Sequence, residues 1–291
     1  MKPAPFVYHR PGSVDEALAL LAQSPDAKPL AGGQSLIPAM NFRLARPAVL
    51  VDLNRIEELA HVREADGQLQ IGAMTRQSIA ERDALIADWA PLLRETMPFI
   101  AHPQIRNRGT IGGSLAHGDP AAELPSVMVA LDASFQVRGP RGARTIPAGE
   151  FYTGLFVTAL APGELLVDIA IPRMPPGTGW AFTEVSRRHG DYALSGVAVV
   201  VTLDEKGKCR EARIALLSVG DGPVLAKRAI KALKGEKPTP EVIREAAEAA
   251  GAKDIDPPGD IHASAAYRRQ LTTVLTRRAL EKAFERAAVA G

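Results

Sequence analysis

The chain has 291 residues, 46% of them hydrophobic, with 35 basic and 33 acidic side chains and a net charge of +2. That length and apolar content predict about two domains with sizeable cores, and the near-balance of charge argues against the broad basic footprint of a nucleic-acid-binding protein. The one cysteine, Cys209, excludes an internal disulfide, and excludes an all-cysteine iron–sulfur cluster or a multi-cysteine zinc site held by this chain alone.

In chain order, residues 1 to 12 are proline-rich and read as extended, ending in a Pro11-Gly12 turn. Ser13 with Glu16 is a capping box, and Ala17, Leu18, Leu20 and Leu21 give the helix that follows one apolar face up to Pro25. Lys28 to Ala31 and Ala48 to Asp52 are short strands on either side of a partly helical stretch, Gln34 to Arg43. Together they define a first subdomain, about residues 1–54. Asp66-Gly67 is a two-residue hairpin turn between His61–Ala65 and Gln68–Ala73. Two helical stretches, Thr75 to Arg82 and Asp83 to Met97, precede a loop at 106–120, and Leu124 to Leu131 is helical. Ser134–Arg138 and Ala143–Ile146 pair across Gly-Pro-Arg-Gly, and Glu164 to Ile171 is a strand that closes this second sheet, in a subdomain of about residues 55–177.

Arg173 to Gly179 is the clearest linker. Beyond it three strands (Trp180–Arg187, Tyr192–Leu203, Cys209–Val219) are followed by three helices (Pro223–Leu233, Pro240–Ala250, about Ser264–Ala287). Strands followed by helices predict an α+β domain over 178–291. In the last helix Tyr267, Leu271, Val274 and Leu275 share a face, and Arg268, Arg269, Arg277 and Arg278 are expected on a solvated one. The six histidines show no H-x-x-x-H spacing, so no metal site is expected. No apolar run approaches the ~20 residues of a membrane helix, and Met1 to Pro5 lacks the apolar core of a secretory signal. A soluble, cytoplasmic protein is expected.

Two glycine pairs carry the functional signal. Leu30-Ala31-Gly32-Gly33-Gln34-Ser35-Leu36 and Arg106-Asn107-Arg108-Gly109-Thr110-Ile111-Gly112-Gly113-Ser114 each follow a β-prone step and lead to small or hydroxyl residues. Glycine pairs reach backbone angles closed to other residues and let a ligand approach the main chain. Successive amides in such turns make an anion site, so the two segments could hold the two phosphates of one dinucleotide from opposite sides. No Gly-x-Gly-x-x-Gly after a strand and no Gly-x-x-x-x-Gly-Lys-Ser/Thr is present, which argues against Rossmann and P-loop sites.

These two segments resemble the FAD-binding medium subunit of the molybdenum hydroxylases, in the branch of the carbon monoxide dehydrogenase medium chain, with the xanthine dehydrogenase FAD domain more distant. The resemblance covers essentially the whole chain. It implies a two-subdomain FAD-binding domain of the p-cresol-methylhydroxylase type followed by a C-terminal domain of a three-stranded antiparallel sheet and helices. It implies FAD on this chain, held by Ala31, Gly32, Gly33, Gln34, Ser35 and Leu36 on one side and by Thr110, Ile111, Gly112, Gly113 and Ser114 on the other. Glu123 falls where many relatives carry Asp near the cofactor, and could equally be a carboxylate in the first turn of a helix. Tyr192 stands where an aromatic ring lies beside the isoalloxazine, or is a core tyrosine at a strand start. Leu166 and Val167 could touch adenine or belong to the core, and His117 with Asp119 reads as a structural turn. Glu184 replaces the Lys common in the xanthine dehydrogenase branch, which counts against NAD use.

The function implied is an electron-transfer subunit. A molybdenum-cofactor large subunit and a small subunit with two [2Fe–2S] clusters would be its partners, in a dimer of heterotrimers. A stand-alone FAD oxidoreductase of the same fold and a non-redox scaffold that has lost flavin are the alternatives.

Overall fold

The computed structural model describes residues 1–290. The chain opens with β1 (Val7–His9), α1 (Val14–Ala22), β2 (Ala27–Leu30), α2 (Leu36–Asn41) and β3 (Val49–Asp52). The strands form a parallel sheet in the order β1-β3-β2. Half of the capping box forms, with the Glu16 amide donating to Ser13 Oγ at 3.2 Å, while the Glu16 carboxylate accepts from the Gly12 amide at 2.8 Å in place of that of Ser13. Val14, Ala17 and Leu21 of α1 are buried against Val51, Leu53 and Ile56 in a small core of their own.

The hairpin of β4 (Val62–Ala65) and β5 (Gln68–Gly72) turns through Asp66 and Gly67, at φ 53° and 70°. That handedness matches the twist of the paired strands. Helices α3 (Gln77–Ala80), α4 (Ala84–Trp89), α5 (Pro91–Thr96), α6 (Pro103–Arg106), α7 (Ile111–His117) and α8 (Glu123–Ala130) follow. Then come β6 (Ser134–Gly139), β7 (Gly142–Pro147), α9 (Ala148–Phe151), the short hairpin β8 (Tyr152–Gly154) and β9 (Val157–Thr158), and β10 (Leu165–Pro172). The second sheet runs β4-β5-β10-β6-β7.

Three expectations change here. The strand expected to close the sheet, β10, lies at its centre, antiparallel to β5 and β6. The helix expected over 83–97 is broken, because Pro91 has no N–H to continue α4 and instead starts α5. The second glycine pair lies inside a helix, α7, rather than in an open turn.

After the linker, β11 (Thr178–Ser186), β12 (Ala193–Leu203) and β13 (Cys209–Leu217) pair antiparallel. A fourth strand, β14 (Val224–Leu225), pairs with β13, so the expected three-stranded sheet has four strands, and α10 (Lys227–Leu233) begins later than expected. Thr239 caps α11 (Pro240–Lys253) as expected. The last helix, α12 (Ala265–Val289), lies directly on β11: a Cβ at Gly179 would sit 1.9 Å from the Ala283 carbonyl oxygen. Its buried face is Thr272, Leu275, Ala279, Ala283 and Ala287, while Tyr267 is exposed. Arg277 and Arg278 are solvated, but Arg268 is only 6% exposed. It donates to the carbonyls of Leu194 (2.5 Å) and Ser218 (3.1 Å) and pairs with Asp260 at 2.6 Å. Among the described residues no helix is long and apolar enough to cross a membrane.

Candidate cofactor site

The two glycine segments meet across the boundary between the first two sheets. The residues after β2 pack against those before α7 so closely that a Cβ on Gly32 would lie 2.3 Å from the Arg108 carbonyl oxygen, and one on Gly113 would lie 3.1 Å from Ala31 Cβ and 2.6 Å from Thr110 Oγ1. A Cβ on Gly112 would lie 2.4 Å from that of Ala73. At Gly32, Gly112 and Gly113 the missing side chain therefore admits other parts of the chain, where the sequence suggested approach of a ligand. Gly33 is glycine for a second reason, a φ of +75°.

The two segments differ in what their amides do. In the second, those of Ile111, Gly112, Gly113 and Ser114 are committed. Ile111 donates to the Thr75 carbonyl at 2.9 Å and Gly112 to that of Ala73 at 2.8 Å. Gly113 donates to Thr110 Oγ1 at 3.0 Å and Ser114 to the Thr110 carbonyl at 3.2 Å. Thr110 is thus the N-cap of α7 and Ile111 is fully buried, so the amides of residues 111–114 already have acceptors within the fold. In the first segment the amides of Gly32, Gly33, Gln34, Ser35 and Leu36 donate to nothing among the described residues. The hydroxyls of Ser35 and Ser114 have no partner among the described residues, and the Gln34 side chain folds back to the Gly32 carbonyl at 3.2 Å.

Buried backbone N–H groups almost always find an acceptor, whereas these five lie on half-buried or exposed residues and are open to solvent or to a ligand. Five consecutive donors without one, running through the left-handed Gly33 to the start of α2, form a concave site for an anion. The charges around it agree. Arg106 is neutralised by Glu81 through two bonds of 2.9 and 3.2 Å, but Arg76 and Arg108 form no ion pair. Diphosphate chemistry fits this donor set.

Asp52, Asn54 and Arg76, which carry no sequence motif, tie the segments together. Asp52 accepts from Tyr8 and from Asn54, whose side-chain N–H donates to the Ala31 carbonyl at 3.0 Å. The Arg76 guanidinium donates to Asn54 Oδ1 at 2.5 Å and to the Arg108 carbonyl. The hydrogen bonds that Tyr8 and Asn54 donate hold the Asp52 carboxyl below its ordinary range against the opposing effect of burial. No local pattern marks these residues: apart from the Asn54–Asp52 bond, their partners are 22 to 44 positions away.

A second group of candidate residues lies where the C-terminal sheet packs on α8, and Tyr192, Glu123 and Glu184 are close enough there for their charges to interact. Tyr192 is 64% exposed, so it is no core tyrosine, and its ring is free to cover a ligand. Desolvation, then the charges of Asp119, Glu123 and Asp191, push its hydroxyl above its usual pKa. Glu123, 8% exposed at the start of α8, is pushed by burial, with a further push from Asp119, up to about 7. Glu184 on β11 reaches about 8, mainly through burial and then through Glu123, and its Oε2 is buried without a partner. Asp119 accepts from the Ala121 amide at 2.9 Å and His117 packs on Phe156, the structural turn expected of that pair.

Leu166 and Val167 do not share one environment. Leu166 is buried in the main core, whereas Val167 lines an open groove of 410 Å³ with Val14, Glu58, His61 and Asp168. The backbone of Val167 accepts from the Ala73 amide at 3.0 Å, beneath Gly112.

An anion cradle, a pair of protonatable carboxyls and an exposed aromatic ring are the parts expected of a flavin-dinucleotide-binding oxidoreductase chain. Residues 4–174 match the family model described as the FAD binding domain in molybdopterin dehydrogenase, and residues 180–283 match the CO dehydrogenase flavoprotein C-terminal domain. The chain belongs to this family of FAD-binding flavoproteins of the molybdopterin dehydrogenases, and FAD is its cofactor. It is 48% identical to the 6-hydroxypseudooxynicotine dehydrogenase complex subunit alpha of Paenarthrobacter nicotinovorans, over 99% of this chain and 97% of that one. It is 44% identical to the carbon monoxide dehydrogenase medium chain of Afipia carboxidovorans, over 99% of each. The solved carbon monoxide dehydrogenase from Hydrogenophaga pseudoflava matches with a TM-score of 0.95 at 42% identity, over 98% of this chain and 99% of that one.

Proposed function

We propose that this chain is the electron-relay subunit of a molybdenum hydroxylase. It would accept electrons from a [2Fe–2S] small subunit, beside a molybdenum-cofactor large subunit that oxidises the substrate, and deliver them to an external acceptor from the cytoplasm. Dimerisation of such heterotrimers is part of the proposal. FAD suits the task because it exchanges electrons singly or in pairs, and the protein's part is binding, orientation and tuning.

The reading divides the chain into an FAD-binding domain, 1–177, with subdomains of about 1–54 and 55–177, and a C-terminal domain, 178–291. Within it the amides of Gly32 to Leu36 and the hydroxyls of Ser35 and Ser114 bind the diphosphate. The side of the segment 110–114 seats them, Glu123 accepts from a ribityl or ribose hydroxyl, Tyr192 covers the ring system, and Val167 borders the adenosine end. The observation that carries this is the run of five unaccepted amides at residues 32–36. The absence of cluster-forming cysteines accords with iron–sulfur centres on another chain.

The test is assembly. Mixed with its two partner subunits and their substrate, the FAD-loaded chain is expected to lose its visible flavin absorption, and to regain it when an acceptor is added. Substrate turnover by the chain alone would instead identify a stand-alone oxidoreductase. A chain that joins the complex without ever taking up FAD would identify a scaffold.

A further inference from the structure

The Arg76 side chain is half-buried, charged and without a carboxylate bonded to it, which is a costly arrangement unless its donors are well used. Its guanidinium spans two elements. One nitrogen donates to the carbonyl of Arg108, the residue whose carbonyl oxygen Gly32 is packed against. The other donates to Asn54 Oδ1 at 2.5 Å, and Asn54 in turn donates to the carbonyl of Ala31 at 3.0 Å. The links close a ring: Ala31 to Asn54, Asn54 to Arg76, Arg76 to Arg108, and Arg108 back onto Gly32 through van der Waals contact. Both glycine segments are held in that ring, one from each side of the subdomain boundary.

The backbone of Arg76 is bound into the same arrangement. It pairs with Thr110 in an isolated antiparallel bridge, flanked by Gln77 N–H to the Gly109 carbonyl at 2.9 Å and Ile111 N–H to the Thr75 carbonyl at 2.9 Å. The side chain therefore leaves a fixed point. It cannot follow a loop that moves away, as a guanidinium on a long mobile segment could.

We infer that Arg76 is a positioning residue for the dinucleotide diphosphate: with Asn54 it clamps the free-amide segment 31–36 against the segment 108–113, and its unpaired charge raises the affinity of the cradle for a diphosphate anion. This rests on the reading of residues 32–36 as the diphosphate cradle. Asp52 belongs to the arrangement as the carboxylate that orients Asn54, so the Arg76 charge is partly offset at a distance and wholly free of a direct ion pair.

The test uses the full chain and two probes, FAD and ADP, the second of which carries the diphosphate and no flavin. Calorimetric titration of Arg76→Ala, Arg76→Lys and Asn54→Ala is done well below each variant's melting temperature, so that only folded protein is counted. Arg76→Ala is expected to weaken ADP and FAD by similar factors, about tenfold or more, as for loss of a charge-assisted bridge. Arg76→Lys keeps the charge but has no planar fork to span two carbonyl oxygens, and is expected to recover only part of the affinity and most of its salt dependence. Asn54→Ala removes the Ala31 limb alone. Its effect is expected to be largely absent in the Arg76→Ala background, because the two residues act as one clamp. Wild-type affinity for ADP in folded Arg76→Ala, or in Asn54→Ala should Arg76→Ala not fold, overturns the inference while leaving the cradle intact. Failure of the wild-type chain to bind either probe overturns the reading of the cradle itself.

Discussion

Ser218, at the end of β13, donates its amide to the carbonyl of Pro120 at 2.8 Å. Its hydroxyl donates to the Ala193 carbonyl at 2.6 Å, and its own carbonyl accepts from the buried Arg268. One residue thus joins the exit of the second glycine segment to the strand that begins just after Tyr192. The C-terminal sheet is registered on the flavin domain at the point where an aromatic ring is needed, and Ser218 holds an unusual φ of +63° to do it.

Replacing Ser218 with Val should therefore disturb both links. A β-branched residue is strained at positive φ, by about 1–2 kcal/mol, and the Ala193 carbonyl loses its donor at a net cost of about 1 kcal/mol. The expected outcome is a lower melting temperature together with an altered flavin spectrum, because Tyr192 is no longer fixed. Ser218→Gly relieves the strain and should retain the melting temperature better than the spectrum. An unaltered spectrum in Ser218→Val would detach Tyr192 from this linkage.

Gly113→Val is expected to abolish FAD binding, though by a different route from a side chain placed in the phosphate path. The new Cβ would meet Thr110 Oγ1 at 2.6 Å and Ala31 at 3.1 Å, removing the cap of α7 and wedging the two segments apart. The far domain, with its own core of Val197, Val199, Ile214, Leu216 and Leu280, should stay folded. Far-ultraviolet circular dichroism with an FAD titration reads both effects, and full FAD occupancy would contradict the placement.

Glu123 and Glu184 set a pH dependence whose sign can be worked out. Burial raises both folded-state values, to about 7 and about 8. The unfolded chain releases these protons near the ordinary carboxylate pKa, so between that value and about 8 the native state binds more protons than the unfolded state. Stability contributed by the pair is complete below the ordinary carboxylate range and is lost progressively as pH rises from there to about 8. The melting temperature of the FAD-free chain should fall over that range, and Glu184→Gln should flatten the fall. A melting temperature that rises over the same range would contradict the assignment.

The two domains are also fastened far from the site. Glu95 on α5 accepts from Lys282 at 2.9 Å, from Arg286 at 2.6 Å and from the Phe182 amide at 3.3 Å, and Arg286 lies over the Trp180 ring at 5.0 Å. Glu95 is largely buried while both cations remain partly exposed. Glu95→Ala should therefore cost about 2 kcal/mol, less than the 3–5 kcal/mol of a fully buried pair. Differential scanning calorimetry should show the C-terminal domain melting earlier, with FAD affinity little changed.

Much of the fold was legible because its signals are local. The Ser13–Glu16 box, the Asp66-Gly67 turn and the Thr239-Pro240 start each involve residues within a few positions of one another. What was missed depends on distant partners. β14 exists only because β13 offers it an edge. Arg268 is buried because the Leu194 and Ser218 carbonyls, 74 and 50 positions away, need donors. The site shows the same division. The glycine pairs are visible in the sequence, but the amides of one pair are taken within the fold, Gly112 by the Ala73 carbonyl and Gly113 by the Thr110 hydroxyl. The clamp of Asn54 and Arg76 has no motif at all.

The most direct test of the account is amide hydrogen exchange along the chain, with and without FAD. The amides of Gly32, Gly33, Gln34, Ser35 and Leu36 have no acceptor and should exchange quickly in the free chain, whereas those of Ile111 to Ser114 are already bonded and should be slow. FAD is predicted to slow the first group markedly and the second only slightly. Stoichiometric FAD binding that leaves residues 32–36 exchanging as fast as before would contradict the cradle, and with it the account of how this chain holds its flavin.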